Sequence, residues 1–237
     1  MRYSILWALL LSILFLQAAC QKDNTTTMTQ NPPPLEESTP IFYLALGDSY
    51  TIGESVEIAE RWPVQLIQGL REGGIEVEAP RLIAQTGWTT GNLKNAIAEA
   101  NLENGFDLVS LLIGVNNQYQ GKSIEEYRLE FEQLLFRAIE LAGDKKERVF
   151  VLSIPDYGAT PFGALNAESI GAEIDAFNAI NQEITTQQGV AYFDITPISR
   201  QASTNPTLTA ADNLHPSGEM YRLWVELILE EVKGLLE

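Results

Sequence analysis

Three side chains in this sequence have the types and spacing needed for acyl transfer. Ser49 follows an apolar run, and Asp212 and His215 stand three residues apart near the end of the chain. A serine hydroxyl becomes a good nucleophile only when a base takes its proton, and histidine suits that role near neutral pH. A neighbouring aspartate can hold the imidazole in the required tautomer. Because His215 is the only histidine in the chain, it is the one candidate for the base.

Residues that follow two other apolar runs could stabilise the negative charge that develops on a substrate carbonyl. Gly87 lies just after the second apolar run, and Asn116 lies just after the third. The backbone N–H groups of Ser49 and Gly87 and the side-chain amide of Asn116 would then form an oxyanion hole. One such donor is typically worth about 2.7–4 kcal/mol. With Asp212 and His215, these residues predict a hydrolytic site.

Each of these residues also has a purely structural interpretation. Ser49 could cap a helix after the strand, Gly87 could occupy a turn that needs positive φ, and His215 could cap the last helix. Asp48 is expected to support its turn rather than to take part in chemistry. We favour the hydrolytic interpretation because all of the blocks occur together. The residues around Ser49 do not form the G-x-S-x-G elbow of α/β-hydrolases.

An alternation of apolar strands and amphipathic helices must position these residues. Strands are predicted at 41–46, 76–84, 108–113, 148–154 and 190–195, and helices at 61–72, 90–102, 123–141, 167–187 and 217–236. Continuous apolar runs are typical of parallel strands that are covered on both faces. The pattern therefore predicts an α/β fold with a five-stranded parallel sheet. Ligands of such sheets bind beyond the C-terminal ends of the strands, where the candidate residues lie.

Composition excludes several classes of protein and site. The 237 residues are 45% hydrophobic and carry a formal charge of −17, so a disordered or collagen-like chain is excluded. The negative charge would repel phosphate backbones, and no nucleic-acid partner is expected. One cysteine permits neither an internal disulfide nor a cysteine-ligated zinc, and one histidine disfavours most transition-metal sites. We therefore expect no metal and no cofactor.

The first twenty residues are predicted to be a targeting segment. Arg2 precedes an apolar run at 5–16 that is short for a membrane span. Residues 16–20 end on the only cysteine, Cys20, and resemble a bacterial lipobox, although Gln17 departs from the usual aliphatic residue. The resemblance implies lipidation of Cys20 and an extracytoplasmic protein anchored to a membrane. The polar residues at 21–24 suggest the outer membrane or cell surface. The alternative is an ordinary secretory signal with a coincidental cysteine.

Residues 21–40 are predicted to be a flexible linker. They include no aromatic residue and contain three consecutive prolines at 32–34. Such a stretch cannot bury enough apolar surface to offset the entropy of ordering. The predicted domains are therefore a lipoprotein signal peptide at 1–20, a linker at 21–40 and a hydrolase domain at 41–237.

The blocks around the candidate residues resemble those of the GDSL family, in its SGNH hydrolase branch. They run from Leu46 to about Trp224, in the family's order. The resemblance implies that Ser49 is the nucleophile of a triad with Asp212 and His215. It also implies that Gly87 and Asn116 complete the oxyanion hole with Ser49, and that the fold is a three-layer, flavodoxin-like α/β/α sandwich.

One position departs from the family pattern. The third block usually reads Gly-x-Asn-Asp, and here Asn117 stands in place of the aspartate. That aspartate is not a member of the triad, so the change concerns loop support and substrate preference rather than catalysis.

The resulting expectation is a serine esterase that acts on small or medium acyl esters. Family members hydrolyse acetylated carbohydrates and lysophospholipids, among other esters, and both remain candidate substrates. Loops near Trp88, at 117–121 and at 155–163 are expected to line the pocket. The alternative from another class is a catalytically silent lipoprotein that keeps the fold for binding at the cell surface.

Overall fold

Five strands form one parallel sheet in the computed structural model, which describes residues 39–237. Their spatial order is β2-β1-β3-β4-β5, with β1 (Tyr43–Asp48), β2 (Arg81–Gln85), β3 (Leu108–Leu112), β4 (Val149–Leu152) and β5 (Ala191–Phe193). The helices are α1 (Ser49–Ile52), α2 (Trp62–Glu72), α3 (Thr90–Glu99), α4 (Val115–Tyr119), α5 (Ile124–Leu141), α6 (Ala167–Gln188), α7 (Thr196–Ser199) and α8 (Gly218–Leu236). The predicted α/β fold with a five-stranded parallel sheet is confirmed.

Helices cover both faces of this sheet. Helices α2 and α8 pack together, and α3, α5 and α6 form a second packed group. Every residue of β1, β3 and β4 is buried. Because successive side chains of a strand point to opposite faces, burial of all of them requires cover on both sides. The core includes the large aromatic residues Trp62, Phe131, Phe150 and Trp224.

The second strand begins later than its sequence pattern predicts. The prediction was 76–84, whereas β2 spans Arg81–Gln85. Pro80 has no N–H to donate to a neighbouring strand, and the chain before it makes only an isolated bridge between Ile41 and Val77. The short helices α1, α4 and α7 have four or five residues each, too few to give a helical period in the sequence.

The register of the sheet brings three strand ends to one level. Gly47 of β1 pairs with Ala84 of β2 on one side and with Leu112 of β3 on the other. The segments that leave these strands therefore start from the same edge of the sheet. They carry Ser49, residues 86–88 and residues 114–117.

The turn from β1 to α1 leaves almost no space around its backbone. A Cβ atom at Gly47 would lie 2.1 Å from Thr51 Oγ1 and 2.5 Å from the carbonyl oxygen of Leu112. The next residue, Asp48, is fully buried, and its Oδ1 accepts a hydrogen bond of 3.0 Å from the N–H of Tyr50. Its other oxygen has no partner among the described residues. Asp48 therefore caps α1, which is the supporting role predicted for it.

The turn from β3 to α4 depends on Gly114. Its φ of 135° lies in a region that side chains rarely adopt. A Cβ atom there would also lie 2.6 Å from Ile154 Cδ1 and 2.7 Å from Tyr127 Cε2. The turn thus requires glycine for its conformation and for its packing.

We predict that Asp48→Asn changes how stability depends on pH. Burial raises the pKa of Asp48 to about 7, although the hydrogen bond from the N–H of Tyr50 acts in the opposite direction. Between its usual value of 3.8 and about 7, the folded state binds more protons than the unfolded state, so stability falls as pH rises. Asparagine keeps the acceptor for Tyr50 and cannot ionise. Urea unfolding at about pH 5 and about pH 8 should show a smaller fall for the variant. Equal falls in the two proteins would contradict the prediction.

We also predict that Gly114→Ala destabilises the fold by about 2–4 kcal/mol, because strain and overpacking add. Gly121→Ala is the matched control. Gly121 also has positive φ, at 65°, but no atom of the described part of the chain lies within 4 Å of the position that its Cβ would take. The control should therefore cost only about 1 kcal/mol. Chemical denaturation of both variants measures the difference, and equal losses would show that packing at Gly114 has no effect.

Candidate active site

A cavity of about 160 Å³ lies at the edge of the sheet where the strands end. It is lined by Ser49, Tyr50, Thr86, Gly87, Val115, Asn116, Tyr119, Tyr157, Phe162, Leu214 and His215. Four of the candidate residues from the sequence therefore line one cavity. The fifth, Asp212, lies behind His215 and is bonded to it.

Ser49 is the first residue of α1 and is 4% exposed. It stands at the end of β1 because Asp48 caps the helix that begins there. No hydrogen bond joins its hydroxyl to His215 within residues 39–237. Hydrogen bonds of this kind are often long in structures without substrate and tighten when the substrate binds.

The spacing of Asp212 and His215 folds a turn around the carboxylate. Oδ1 of Asp212 accepts hydrogen bonds of 2.9 Å from the N–H groups of Leu214 and His215. Oδ2 lies 2.6 Å from Nδ1 of His215. Because an ionised carboxylate can only accept a hydrogen bond, this contact places a proton on Nδ1 of His215, which donates it to Asp212. Nε2 is then the ring nitrogen that is free to accept a proton.

Asp212 is held in its ionised form. Burial alone would raise its pKa, but the hydrogen bonds from Ser55, His215 and the backbone outweigh burial, and they hold the pKa well below its usual range. Sequence reasoning missed Ser55, whose hydroxyl donates a 2.7 Å hydrogen bond to Asp212 Oδ2. The two residues are 157 positions apart, so no local pattern could have linked them.

The loop that carries His215 is fixed by its neighbours. The ring of Tyr50 packs edge-on against the imidazole, with 5.7 Å between the ring centroids. The N–H of Ala210 donates to the carbonyl of His215, and the N–H of Phe162 donates to the carbonyl of Asn213. These contacts leave His215 only 8% exposed.

The two other oxyanion candidates lie on adjacent loops that are bonded together. Gly87 has a φ of 83°, so this turn does need positive φ. Its carbonyl accepts a hydrogen bond from the side chain of Gln120, and the side-chain amide of Asn116 donates to the carbonyl of Trp88. Asn116 keeps one further amide proton, which the cavity can use.

Asn117 supports the same pair of loops. It is fully buried, accepts a 2.9 Å hydrogen bond from the N–H of Thr90 and donates a 2.6 Å hydrogen bond to the Thr90 hydroxyl. That hydroxyl then donates to Glu130. An aspartate at this position would accept but could not donate, so it would compete with Glu130 for the single Thr90 proton. Asn117 therefore supports the loop through both of its bonds to Thr90 and leaves the Thr90 hydroxyl proton for Glu130.

Three aromatic side chains form one wall of the cavity. The ring centroids of Tyr119, Tyr157 and Phe162 are 6.1, 6.2 and 6.3 Å apart in the three pairs. Tyr119 and Phe162 are half-exposed, whereas Tyr157 is buried. The prediction that loops 117–121 and 155–163 line the pocket is confirmed. The loop near Trp88 also lines the pocket, as predicted, through Thr86 and Gly87, while the side chain of Trp88 itself packs against the core.

Two further predictions concern metals and the N-terminal segment. Within residues 39–237, no group of three or more His, Cys, Asp or Glu side chains is arranged to hold a metal ion. No helix in the same residues has the length and apolar character needed to cross a membrane. The predicted signal segment, Cys20 and linker residues 21–38 lie outside the described residues.

Solved structures of other proteins share this architecture. TesA superimposes with a TM-score of 0.67 at 17% identity, covering 82% of this chain and 99% of TesA. The lipase/acylhydrolase from Enterococcus faecalis gives 0.61 at 22% identity, covering 83% and 97%. The acetylxylan esterase Axe2 from Geobacillus stearothermophilus gives 0.58 at 17% identity, covering 82% and 96%. At these identities the similarity establishes the fold.

Family membership rests on the sequence itself. No curated protein matches the chain significantly. The profile of the GDSL-like lipase/acylhydrolase family matches residues 45–223, which is most of the chain and includes every candidate site residue from Ser49 to His215. The protein therefore belongs to the GDSL-like lipase/acylhydrolase family of ester hydrolases.

Proposed function

We propose that the protein is a serine esterase that hydrolyses carboxylic esters through an acyl-enzyme on Ser49. The observation that carries the proposal is the bonded pair of Asp212 and His215 at the cavity that Ser49 also lines. Gly87 and Asn116 line the same cavity. A nucleophile, a base with a fixed tautomer and donors for an oxyanion thus lie together, as acyl transfer requires.

The first half of the reaction forms the acyl-enzyme. Nε2 of His215 accepts the Ser49 proton as Oγ attacks the ester carbonyl, and Asp212 stabilises the imidazolium that results. The oxyanion accepts hydrogen bonds from the N–H groups of Ser49 and Gly87 and from the free amide proton of Asn116. The imidazolium returns its proton to the alcohol oxygen, the carbon–oxygen bond breaks and the alcohol leaves.

The second half hydrolyses the acyl-enzyme. His215 takes a proton from water, and the hydroxide so formed attacks the acyl carbonyl. The same donors stabilise the second oxyanion. Its collapse breaks the bond to Ser49 Oγ, which recovers its proton from the imidazolium, and the carboxylic acid is released. Neither half requires a cofactor.

The cavity favours neutral esters with small or medium acyl groups. Its volume of about 160 Å³ is close to that of a protein cavity that holds benzene, at about 150 Å³. Among the described residues, the lining contains no lysine or arginine, and the chain has a formal charge of −17. Substrates with several negative charges, such as acyl-coenzyme A, would be repelled. Esters of acetylated carbohydrates fit these limits better.

The activity is tested with a fluorophosphonate probe and a series of p-nitrophenyl esters. Wild type should be labelled and should hydrolyse short acyl chains fastest. Ser49→Ala should lose labelling and lose activity by about 10⁵–10⁶-fold, because the nucleophile is removed. Ser203→Ala is the matched control, since it removes an exposed hydroxyl whose one partner within residues 39–237 is the carbonyl of Arg200. Folded wild type that is neither labelled nor active would overturn the proposal in favour of a silent binding protein. A maximum at long chains would overturn the size preference.

We also propose that Cys20 is lipidated and anchors the protein to a bacterial membrane outside the cytoplasm. The similarity of residues 16–20 to a lipobox supports this proposal. Two acyl chains would give stable anchoring, because burial is worth about 0.8 kcal/mol per CH₂ group.

Replacement of the cysteine tests the anchor. Cys20→Ser should abolish incorporation of labelled fatty acid and should release the protein from the membrane fraction or block its maturation. Activity per folded molecule should stay unchanged, since the candidate site residues lie far along the chain from Cys20. Wild type that fractionates as fully soluble without detergent would contradict the anchor.

A further inference from the structure

Residues 39–237 supply four hydrogen-bond donors to the carboxylate of Asp212, which is as many as its two oxygens accept. Three donors come from its own turn: the N–H of Leu214, the N–H of His215 and Nδ1 of His215. The fourth is the hydroxyl of Ser55, at 2.7 Å from Oδ2. Oδ2 is therefore shared between Ser55 and the imidazole.

Ser55 makes this contact from an unusual backbone conformation. Its φ of 66° lies in the left-handed region, which residues other than glycine adopt infrequently. Conformations of this kind persist where the surrounding structure fixes them, and they are concentrated at functional sites. Ser55 combines this conformation with a hydrogen bond to Asp212, which suggests that its hydroxyl does more than close the loop.

The loop that carries Ser55 is part of the same turn as Ser49. The N–H of Glu54 donates a 3.0 Å hydrogen bond to the carbonyl of Ser49. The carboxylate of Glu54 accepts a hydrogen bond from Thr86, which lines the cavity. Ser55 is therefore held by the segment that positions the nucleophile, while it binds the residue that orients the base.

We propose that Ser55 is a positioning residue that fixes the Asp212 carboxylate, and through it the imidazole of His215, relative to Ser49. The effect of Ser55 on catalysis rests on the proposed esterase function, but its effect on the order of the His215 imidazole does not. The side chain of Asp212 is 30% exposed, so water can compete for Oδ2 once the Ser55 hydroxyl is removed. The carboxylate then has no contact with the segment of Ser49, and the imidazole becomes less well ordered.

The single histidine makes the imidazole directly observable. In protein labelled with ¹⁵N-histidine, all ring signals belong to His215. Wild type should show the tautomer with a proton on Nδ1 and a protected Nδ1–H resonance. Ser55→Ala should broaden this resonance through faster exchange with solvent. It should also lower kcat by about tenfold, as loss of a hydrogen bond to a charged group does, with KM changed by less than about twofold.

Two further variants distinguish the loss of the Ser55 hydroxyl from a change in backbone strain or folding. Ser55→Gly also removes the hydroxyl but relieves the strain of positive φ, so it should fold and should behave like Ser55→Ala. Ser203→Ala loses an exposed hydroxyl bonded at 2.8 Å to a backbone carbonyl and should keep the wild-type resonance and kcat. Recovery of the wild-type resonance and kcat in Ser55→Gly would overturn the proposal, because strain rather than the hydroxyl would then be responsible.

The remaining outcomes are also decisive. An unchanged resonance in folded Ser55→Ala would overturn the proposal, as would a changed resonance with unchanged kcat in an active protein. If wild type itself proves inactive, the esterase function fails. The dependence of the imidazole resonance on Ser55 would then still support the positioning of His215.

Discussion

The parallel register of β1 with its two neighbours is the constraint on which the site depends. Gly47 pairs with Ala84 on one side and Leu112 on the other, so three strands end at one level. Each strand then delivers one group to the same cavity: Ser49, Gly87 or Asn116. A shift of one residue in either pairing would exchange the two faces of the strand and would move the residues that follow it by about 3.3 Å along the strand direction. The packing of the sheet in the hydrophobic core thus fixes the relative positions of Ser49, Gly87 and Asn116, which lie far apart along the chain.

Register alone does not set the direction of the groups, because the loops beyond the strands must also be fixed. Side-chain amides perform this task. Asn116 bonds to Trp88, Gln120 bonds to Gly87 and Asn117 bonds twice to Thr90. All these bonds join α4, or the residue directly after it, to the segment after β2. An amide can donate and accept at once, so it can join two backbones without leaving a buried charge. In contrast, the one buried carboxylate of the neighbouring turn, Asp48, has a raised pKa.

The candidate base, His215, reaches the cavity by a separate route. Asp212 and His215 follow no strand of the sheet; their turn is bonded to Phe162 and packed against Tyr50. A small movement of this turn would change the distance between the base and Ser49 without any change in the sheet. The hydrogen bond of Ser55 to Asp212 joins the two supports directly.

The sequence by itself determined the features that depend on near neighbours. Apolar runs predicted the five strands, and the types of Asp212 and His215 predicted that the carboxylate holds the imidazole. In the structure, their three-residue separation lets a turn close around the carboxylate and make this contact. Only the tertiary structure decided the contacts between distant segments. Examples are the hydrogen bond between Ser55 and Asp212 and the grouping of Tyr119 with Phe162. Such contacts depend on which segments meet when the helices pack on the sheet. The residue pattern of one segment does not show which other segment it will contact.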